Sequence, residues 1–145
     1  MKNNNCIRLK GFDIALLNLG CGEQKNGIGI DMLDFGQDIV WDLRNGIPLP
    51  NDCVAEFFTA HFLEHVARHE MYQLFNEIIR VAKPDATLYA VVPHAETIEA
   101  DFLGHLSYWN EKRVEGVVLG LRGALEILDM ERDGIELRFK LRIVK

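Results

Sequence analysis

Apolar residues in the first two thirds of the chain form short continuous runs, each closed by a glycine, a proline or an acidic residue. Such runs predict buried strands. We place five of them, at Ile14–Leu19, in a run that ends at Asp31, and at 38–43, 56–60 and 87–93. Strands with apolar residues on both faces need cover on both sides, so the pattern predicts a mostly parallel α/β sheet.

The hydrophobic period changes after residue 61. Apolar residues then recur at helical spacing, at Met71, Leu74, Phe75, Ile78, Ile79 and Ala82. This spacing predicts one amphipathic helix, which Pro84 terminates. Asn110 is a good N-cap for a second helix with apolar residues at Val114, Val117, Val118 and Leu121.

Apolar and charged residues alternate from Ile135 to Ile143. A period of two predicts a strand with one buried face and one solvated face. An apolar run at 124–131 precedes it, and Arg132-Asp133-Gly134 between the two is typical of a hairpin turn. We therefore expect an antiparallel strand pair, 124–131 and 135–144, at a sheet edge.

The composition is that of one globular domain covering residues 1–145, with 48% hydrophobic and 26% charged residues. A net charge of −6 argues against nucleic acid as a partner. Cys6, Cys21 and Cys53 share no metal-ligand spacing, which predicts a reducing cytoplasmic location and no structural zinc site. No apolar run approaches the roughly twenty residues that span a bilayer.

The stretch that follows the first predicted strand carries candidate chemistry. It has the order strand, Gly20-Cys21-Gly22, strand and Asp31, which suits an adenosine-containing ligand. A dinucleotide fold needs a third glycine, where this chain has Lys25, and a full crossover helix before its acid. The short interval to Asp31 leaves little helix to hold a pyrophosphate, so the spacing favours a cofactor without phosphates, S-adenosylmethionine (SAM).

Seven short motifs together resemble the class I SAM-dependent methyltransferases, in particular the small methyltransferase type 11 group with a shortened first crossover helix. The motifs are LNLGCG at 17–22, GID at 29–31, WDL at 41–43, PLP at 48–50, AHFLEH at 60–65, RVAKP at 80–84 and VPH at 92–94. The resemblance runs from Ile14 to His94. It implies a Rossmann-like three-layer sandwich with a seven-stranded sheet in the order 3-2-1-4-5-7-6, in which strand 7 is antiparallel.

The resemblance also implies SAM as cofactor, S-adenosylhomocysteine as product, and seven cofactor-binding residues: Gly20, Cys21, Gly22, Asp31, Asp42, Leu43 and His61. The glycine turn 20–22 would pass under the methionine part of SAM, and Asp31 would hold the ribose hydroxyls. Asp42 and the Leu43 backbone would face the adenine amino group, and His61 would lie beside the sulfonium. Cys21 between the glycines is expected to fill space rather than act as a nucleophile.

Methyl transfer needs alignment, desolvation and in some cases a general base. Histidine is the side chain that titrates near neutral pH unaided, so the first candidates for a base are His61 and His94. His65 and His105 are the second choice. The short stretch between the fifth and sixth strands leaves little chain for a lid. An open mouth suits a small-molecule, glycan or protein acceptor, or a lid from a second subunit in a homo-oligomer.

Two alternatives stay open. His61-Phe62-Leu63-Glu64-His65 fits the H-x-x-E-H motif of inverted zinc peptidases, in which two histidines on one helix bind zinc and the carboxylate activates water. The parallel α/β pattern and the small domain argue against that hydrolase. A binding module for SAM or another adenosine compound, inactive alone or dependent on a catalytic partner, is the other alternative.

Overall fold

The structure is a computed structural model that describes residues 13–145. Its strands are β1 (Ile14–Leu19), β2 (Ile28–Asp31), β3 (Ile39–Val40), β4 (Val54–Ala60), β5 (Ala82–Pro93), β6 (Leu125–Asp133) and β7 (Glu136–Ile143). Its α-helices are α1 (Met71–Val81) and α2 (Glu111–Gly120), and short 3₁₀ helices cover Leu43–Asn45, Leu63–His65, Arg68–Glu70 and Ile98–Asp101. Cys6 lies outside the described residues.

The strands form one sheet in the order β3-β2-β1-β4-β5-β7-β6. All pairs from β3 to β5 are parallel, and β7 is antiparallel to both β5 and β6. The C-terminal hairpin β6–β7 joins the sheet through β7, which lies between β5 and the edge strand β6. The predicted Rossmann-like α/β class, the strand order and the antiparallel strand 7 are confirmed.

Several predicted elements differ from the observed ones. The first crossover, residues 20–27, contains no helix at all, because only eight residues separate β1 from β2 and they are used for turns. β3 keeps only Ile39 and Val40, which pair with the last two residues of the four-residue β2. β5 begins at Ala82 rather than Thr87, because Ala82 already pairs with Val54 across a register shift.

The two faces of the sheet differ in burial. On one face, neighbouring strands place a row of paired apolar residues that are fully buried: Leu17, Phe57, Leu88 and Leu141. Helices α1 and α2 cover this face. The adjacent row contains Phe58, Tyr89 and Lys140, of which Tyr89 and Lys140 are exposed. Right-handed crossovers would cover this second face from the β1–β2 and β2–β3 connections, which are loops here. Within residues 13–145, the second helical layer of the predicted three-layer sandwich is therefore not formed.

Helix α1 supplies the centre of the core. Its residues Met71, Leu74, Phe75 and Ile78 are buried, as the apolar spacing predicts. The predicted face differs at its end, where Ile79 is only partly buried, Val81 is buried instead, and Ala82 belongs to β5. Among the described residues, no helix has the length and apolar character needed to cross a membrane.

An ion pair on α1 holds the loop between β3 and β4. Arg80 Nε lies 2.6 Å from Glu77 Oε2, and the Arg80 guanidinium donates to the carbonyls of Ile47 (2.8 Å) and Leu49 (3.0 Å). Glu77 Oε1 accepts the Ile47 N–H at 2.9 Å. The hydrogen bond from Arg80 lowers the pKa of Glu77. These contacts join α1 to residues about thirty positions earlier.

Arg80→Ala is expected to lower the free energy of unfolding by about 2 kcal/mol, because it leaves two carbonyls and Glu77 without a charged donor. Urea denaturation measures this change. Arg142→Ala removes an exposed ion pair with Glu126 and is the matched control, with an expected cost below about 1 kcal/mol. Equal losses in the two variants would contradict the role of Arg80.

The same pair predicts a pH dependence. Because the folded pKa of Glu77 is depressed, its contribution is present above the unfolded pKa of about 4.3 and is lost as the pH falls through the folded value. The difference in stability between wild type and Glu77→Gln should therefore shrink below about pH 4.

Candidate functional site

A cavity of about 630 Å³ opens at the carboxyl ends of β1, β2, β3 and β4. The seven residues assigned to cofactor binding from the sequence all line it: Gly20, Cys21, Gly22, Asp31, Asp42, Leu43 and His61. They come together because parallel strands end at the same edge of a sheet, where open α/β sheets bind their ligands. Their role in binding stays a prediction.

The glycine turn after β1 forms one wall of the cavity. Gly20 and Gly22 have φ of +63° and +55°, a left-handed conformation that side chains rarely adopt. A Cβ on Gly20 would lie 2.3 Å from the Phe62 ring, whereas one on Gly22 would meet nothing within 4 Å. The Gly20 N–H donates to the Ile30 carbonyl at 2.9 Å, which joins the turn to β2.

Asp31 ends β2 and points into the same cavity. Its Oδ2 accepts the Gly22 N–H at 2.9 Å and its Oδ1 accepts the Leu33 N–H at 3.0 Å. A carboxylate oxygen has two acceptor positions, so each oxygen keeps one for a further donor. The backbone thus orients Asp31 without using up its capacity to accept hydrogen bonds.

Asp42 is the N-cap of the 3₁₀ helix Leu43–Asn45 rather than the end of a strand. Its carboxylate accepts the Arg44 N–H at 2.9 Å and pairs with the Arg44 guanidinium at 2.7 Å. The hydrogen bonds from Arg44 lower the pKa of Asp42, so it stays ionised at neutral pH. The Leu43 N–H comes first in this helix and therefore has no acceptor within it.

Cys21 is buried, and its Sγ donates to the Gly22 carbonyl at 3.4 Å. Burial raises the pKa of this thiol, and the negative charge of Asp31 raises it further. The thiol is therefore protonated at neutral pH and a poor nucleophile. The Cys21 side chain packs against β2 where a side chain at position 29 would be, because a Cβ on Gly29 would lie 2.8 Å from Cys21 Sγ.

His61 follows β4 at a φ of +57° and is half exposed at the cavity. Its Nε2 lies 2.9 Å from Glu136 Oε2 at the start of β7. Hydrogen bonding from Arg138, together with His61, lowers the pKa of Glu136, which keeps this partner ionised. A neutral His61 that donates from Nε2 to Glu136 leaves Nδ1 as the free acceptor.

The other histidines lie in different surroundings. His94 is buried outside the cavity lining, and both of its ring nitrogens have partners: Nε2 with Glu111 Oε1 at 2.7 Å, and Nδ1 with the Glu96 N–H at 3.1 Å. His65 lines the cavity, whereas His105 is not a lining residue but lies next to His65, with the two ring centroids 4.7 Å apart. The structure thus brings His61 and His65, but not His94, to the cavity.

The helix that the H-x-x-E-H interpretation requires is not formed at 61–65. His61 has a left-handed backbone, and only Leu63–His65 make a single 3₁₀ turn. His61 therefore lies beside Glu136 and does not share a helical face with His65. This geometry does not fit the zinc peptidase alternative.

Several lining residues have no counterpart in the sequence-based set. Met32, Leu33 and Phe35 of the β2–β3 loop are exposed apolar residues at the cavity, and apolar residues in a polar loop are a signal that could have found them. Phe62 and Leu106 have no such local signal.

The stretch between β5 and α2 reaches the cavity, contrary to the expectation that it offers little material for a lid. Leu106 lines the cavity, and its N–H donates to the Glu64 carbonyl at 2.7 Å. The Ser107 N–H donates to the same carbonyl at 3.1 Å. These bonds hold the stretch against the turn after β4, so Leu106 forms part of the cavity wall.

Comparison with solved structures identifies the fold. A SAM-dependent methyltransferase from Aquifex aeolicus superposes with a TM-score of 0.71 at 17% identity, over 92% of this chain and 84% of that chain. The Methanosarcina mazei SAM-dependent methyltransferase gives 0.72 at 15%, over 91% and 93%. The Burkholderia thailandensis 1,6-didemethyltoxoflavin-N1-methyltransferase, solved with its namesake ligand and S-adenosylhomocysteine, gives 0.71 at 12%, over 93% and 73%.

No family model and no curated protein sequence matches the chain. The structural likeness extends over about nine tenths of the chain, but the sequence identities are only 12–17%. Identities this low show a shared fold and do not show a shared activity. The sheet order and the inserted antiparallel strand agree with this likeness. The chain has the fold of the class I SAM-dependent methyltransferases.

Proposed function

We propose that this protein is a SAM-dependent methyltransferase that binds the cofactor in the cavity at the carboxyl ends of β1 to β4. One observation carries the proposal: Asp31 and Asp42 lie on the wall of a single cavity together with the glycine turn 20–22. The cavity volume of about 630 Å³ lies in the range of small-molecule sites.

Asp31 would hold the ribose. Its two oxygens each keep an acceptor position after the bonds from Gly22 and Leu33, which matches the two neighbouring hydroxyls of a ribose. The backbone bonds hold the carboxylate in place before the ligand arrives, which lowers the ordering cost of binding.

The adenine would lie between the β2–β3 loop and the 3₁₀ helix that Asp42 caps. Met32, Leu33 and Phe35 offer apolar surface to the ring, and the Leu43 N–H offers a donor to a ring nitrogen. The adenine amino group would donate to the Asp42 carboxylate. Arg44 now pairs with this carboxylate, and because its side chain is exposed it can move aside when the ligand binds.

The connection between β1 and β2 supports a cofactor without phosphates. Residues 20–27 form turns and no helix, so there is no helix N-terminus to bind a pyrophosphate. Within this connection the Cys21 thiol is protonated, and Gly20 and Gly22 have no side chain, so the methionine part of the ligand could approach the backbone of the turn 20–22 closely.

Bound SAM supplies a methyl group on a sulfonium, and the chain has to align an acceptor and accept its proton. His61 is the candidate base, because it lies at the cavity and Glu136 fixes the tautomer that leaves Nδ1 free. His94 is not part of this proposal, since both of its nitrogens are occupied outside the cavity.

The acceptor we favour is a small molecule, because the stretch between β5 and α2 contributes Leu106 to the cavity lining and so encloses the site on that side. An oxygen, nitrogen or carbon nucleophile would lie near His61 and His65, which both line the cavity and are about half exposed. A lid from a second subunit would cover Met32 and Leu33, which are exposed apolar residues at the cavity.

Calorimetric titration with S-adenosylhomocysteine tests the proposal. Micromolar binding at one site per chain is the expected result, which corresponds to about −8 kcal/mol. NAD⁺ and ATP are the matched controls, and neither should bind, because both require a phosphate site. Absence of heat with S-adenosylhomocysteine, or equal binding of NAD⁺, would contradict the proposal.

A methyl-transfer assay distinguishes the proposed enzyme from the alternative, a SAM-binding module without activity of its own. S-adenosylhomocysteine binding combined with no transfer to any class of acceptor would favour the module that is inactive alone. Transfer that His61→Asn slows while S-adenosylhomocysteine affinity is retained would support His61 as the base.

A further inference from the structure

Three side chains with metal-ligand chemistry meet beside the cavity: Glu64, His65 and His105. One ligand atom of each lies within 4.8 Å of the other two. Glu64 Oε1 is 3.9 Å from His65 Nε2, and the two imidazole rings meet edge to face with centroids 4.7 Å apart. They come from two separate connections, after β4 and after β5.

Backbone hydrogen bonds maintain this arrangement. The Leu106 and Ser107 N–H groups both donate to the Glu64 carbonyl, and Ser107 Oγ donates to the Leu63 carbonyl at 3.1 Å. Ser107 is buried and in turn accepts the Trp109 indole N–H at 3.1 Å. His105 directly precedes Leu106, so the same backbone hydrogen bonds fix the position of His105.

Both imidazoles are oriented by backbone carbonyls. His65 Nδ1 lies 3.0 Å from the Gly104 carbonyl, and His105 Nδ1 lies 3.3 Å from the Ala100 carbonyl. Because a carbonyl only accepts, each Nδ1 carries the proton and donates, and each neutral ring presents its Nε2 lone pair. An N–H donated to a carbonyl is the usual outer-shell contact of a metal-binding histidine.

The carboxyl group of Glu64 points to a missing partner. Its side chain is only 3% exposed, and among residues 13–145 its Oε2 has no hydrogen-bond partner. Oε1 has only the two histidine contacts, His61 Nδ1 and His65 Nε2, each at 3.9 Å. A buried carboxylate without partners is costly, and a bound cation removes that cost.

We infer that Glu64, His65 and His105 form a binding site for a divalent transition-metal ion of the zinc class. Two imidazole nitrogens and one carboxylate oxygen suit Zn²⁺, Co²⁺ or Ni²⁺, whereas Mg²⁺ and Ca²⁺ prefer oxygen ligands alone. Tetrahedral zinc places such ligand atoms about 3.3 Å apart, which small side-chain rotations reach from the observed separations. Three protein ligands leave a coordination position for water or a substrate atom.

The sequence predicted no metal site, so this inference differs from that prediction. It also differs from the zinc peptidase alternative, which used His61, Glu64 and His65 as its metal-site residues. His105 replaces His61 as the second histidine, because His61 is engaged by Glu136. The ion would join the turn after β4 to the stretch that carries Leu106, and so would hold the part of the cavity wall that this stretch forms. The inference does not rest on the proposed methyltransferase activity.

Zinc titration of the untagged, chelator-treated full chain tests the site, with Co²⁺ absorption as the second readout. One Zn²⁺ per chain should bind, and His105→Asn and Glu64→Gln should each weaken binding at least about tenfold. His69→Asn is the matched control, because His69 also faces an acid, Glu70, at 3.9 Å but is 85% exposed and outside the cluster. That variant should bind zinc as wild type does.

Co²⁺ should show a visible spectrum of nitrogen and oxygen ligands without the near-ultraviolet band of a thiolate, which excludes binding at Cys6, Cys21 or Cys53. Thermal unfolding of each metal-free variant reports whether it is folded. No zinc binding by the folded wild type would overturn the inference. The same affinity in folded His105→Asn and wild type, or an equal loss in His69→Asn, would overturn it too. S-adenosylhomocysteine binding is measured in parallel, so failure of one proposal does not affect the other.

Discussion

Asp31→Ala is expected to weaken S-adenosylhomocysteine binding by about 100-fold or more. In the proposed complex the carboxylate accepts both ribose hydroxyls, and each hydrogen bond to a charged acceptor contributes about 1.5–3 kcal/mol. Loss of two such bonds at the lower end is about 3 kcal/mol, which is a factor of about 100 in affinity. The variant also frees the N–H groups of Gly22 and Leu33, so the turn loses its alignment.

Asp38→Ala is the matched control for this loss. Asp38 Oδ2 accepts the Gly29 N–H at 3.0 Å, so it also orients a backbone amide near β2, but it does not line the cavity. Calorimetry should find its S-adenosylhomocysteine affinity within about threefold of wild type, a difference below about 0.7 kcal/mol. Wild-type affinity in Asp31→Ala, with both variants folded by circular dichroism, would rule out Asp31 as the ribose ligand.

Gly20→Ala should destabilise the fold by about 2–5 kcal/mol and remove cofactor binding. The left-handed backbone at φ +63° costs an alanine about 1–2 kcal/mol. Its methyl group would lie 2.3 Å from Phe62 Cδ1 and 2.7 Å from Phe62 Cβ, so the whole Phe62 side chain must move. Such overpacking adds about 1–3 kcal/mol, and the displaced ring would enter the cavity that it now lines.

Gly22→Ala separates the steric contribution from the backbone contribution. Gly22 is also left-handed, at φ +55°, but a Cβ there meets nothing within 4 Å, so only the cost of about 1–2 kcal/mol applies. Urea denaturation of the two variants should give clearly different free energies of unfolding. If both lost the same stability, close packing of Phe62 on the turn would not be the reason for glycine at position 20.

The sequence predicts the central elements well because their signals are local. Continuous apolar runs mark β1 and the later part of β5, and the spacing from Met71 to Ile78 marks the buried face of α1. The alternation after residue 135 identifies β7, whose Leu137, Phe139, Leu141 and Ile143 are buried. The glycine turn and Asp31 were predictable for the same reason, since strand ends in a parallel sheet converge at one edge.

Local signals fail where the outcome depends on a neighbour distant in sequence. β3 ends at Val40 because its partner β2 ends opposite it at Asp31, and β5 starts early because Val54 pairs with Ala82. No pattern around Pro84 reports that pairing. Likewise, residues 13–145 form no second helical layer because few residues join β1 to β2 and β2 to β3.

The amino-acid order alone thus determined the strands, the main helix and the residues at the strand ends, because burial periodicity and turn chemistry act over a few positions. Only the tertiary structure decided that Leu106 lines the cavity, that His61 pairs with Glu136, and that His105 meets Glu64 and His65. Those contacts join connections some forty or more residues apart, and their formation depends on backbone hydrogen bonds such as that from Leu106 to the Glu64 carbonyl.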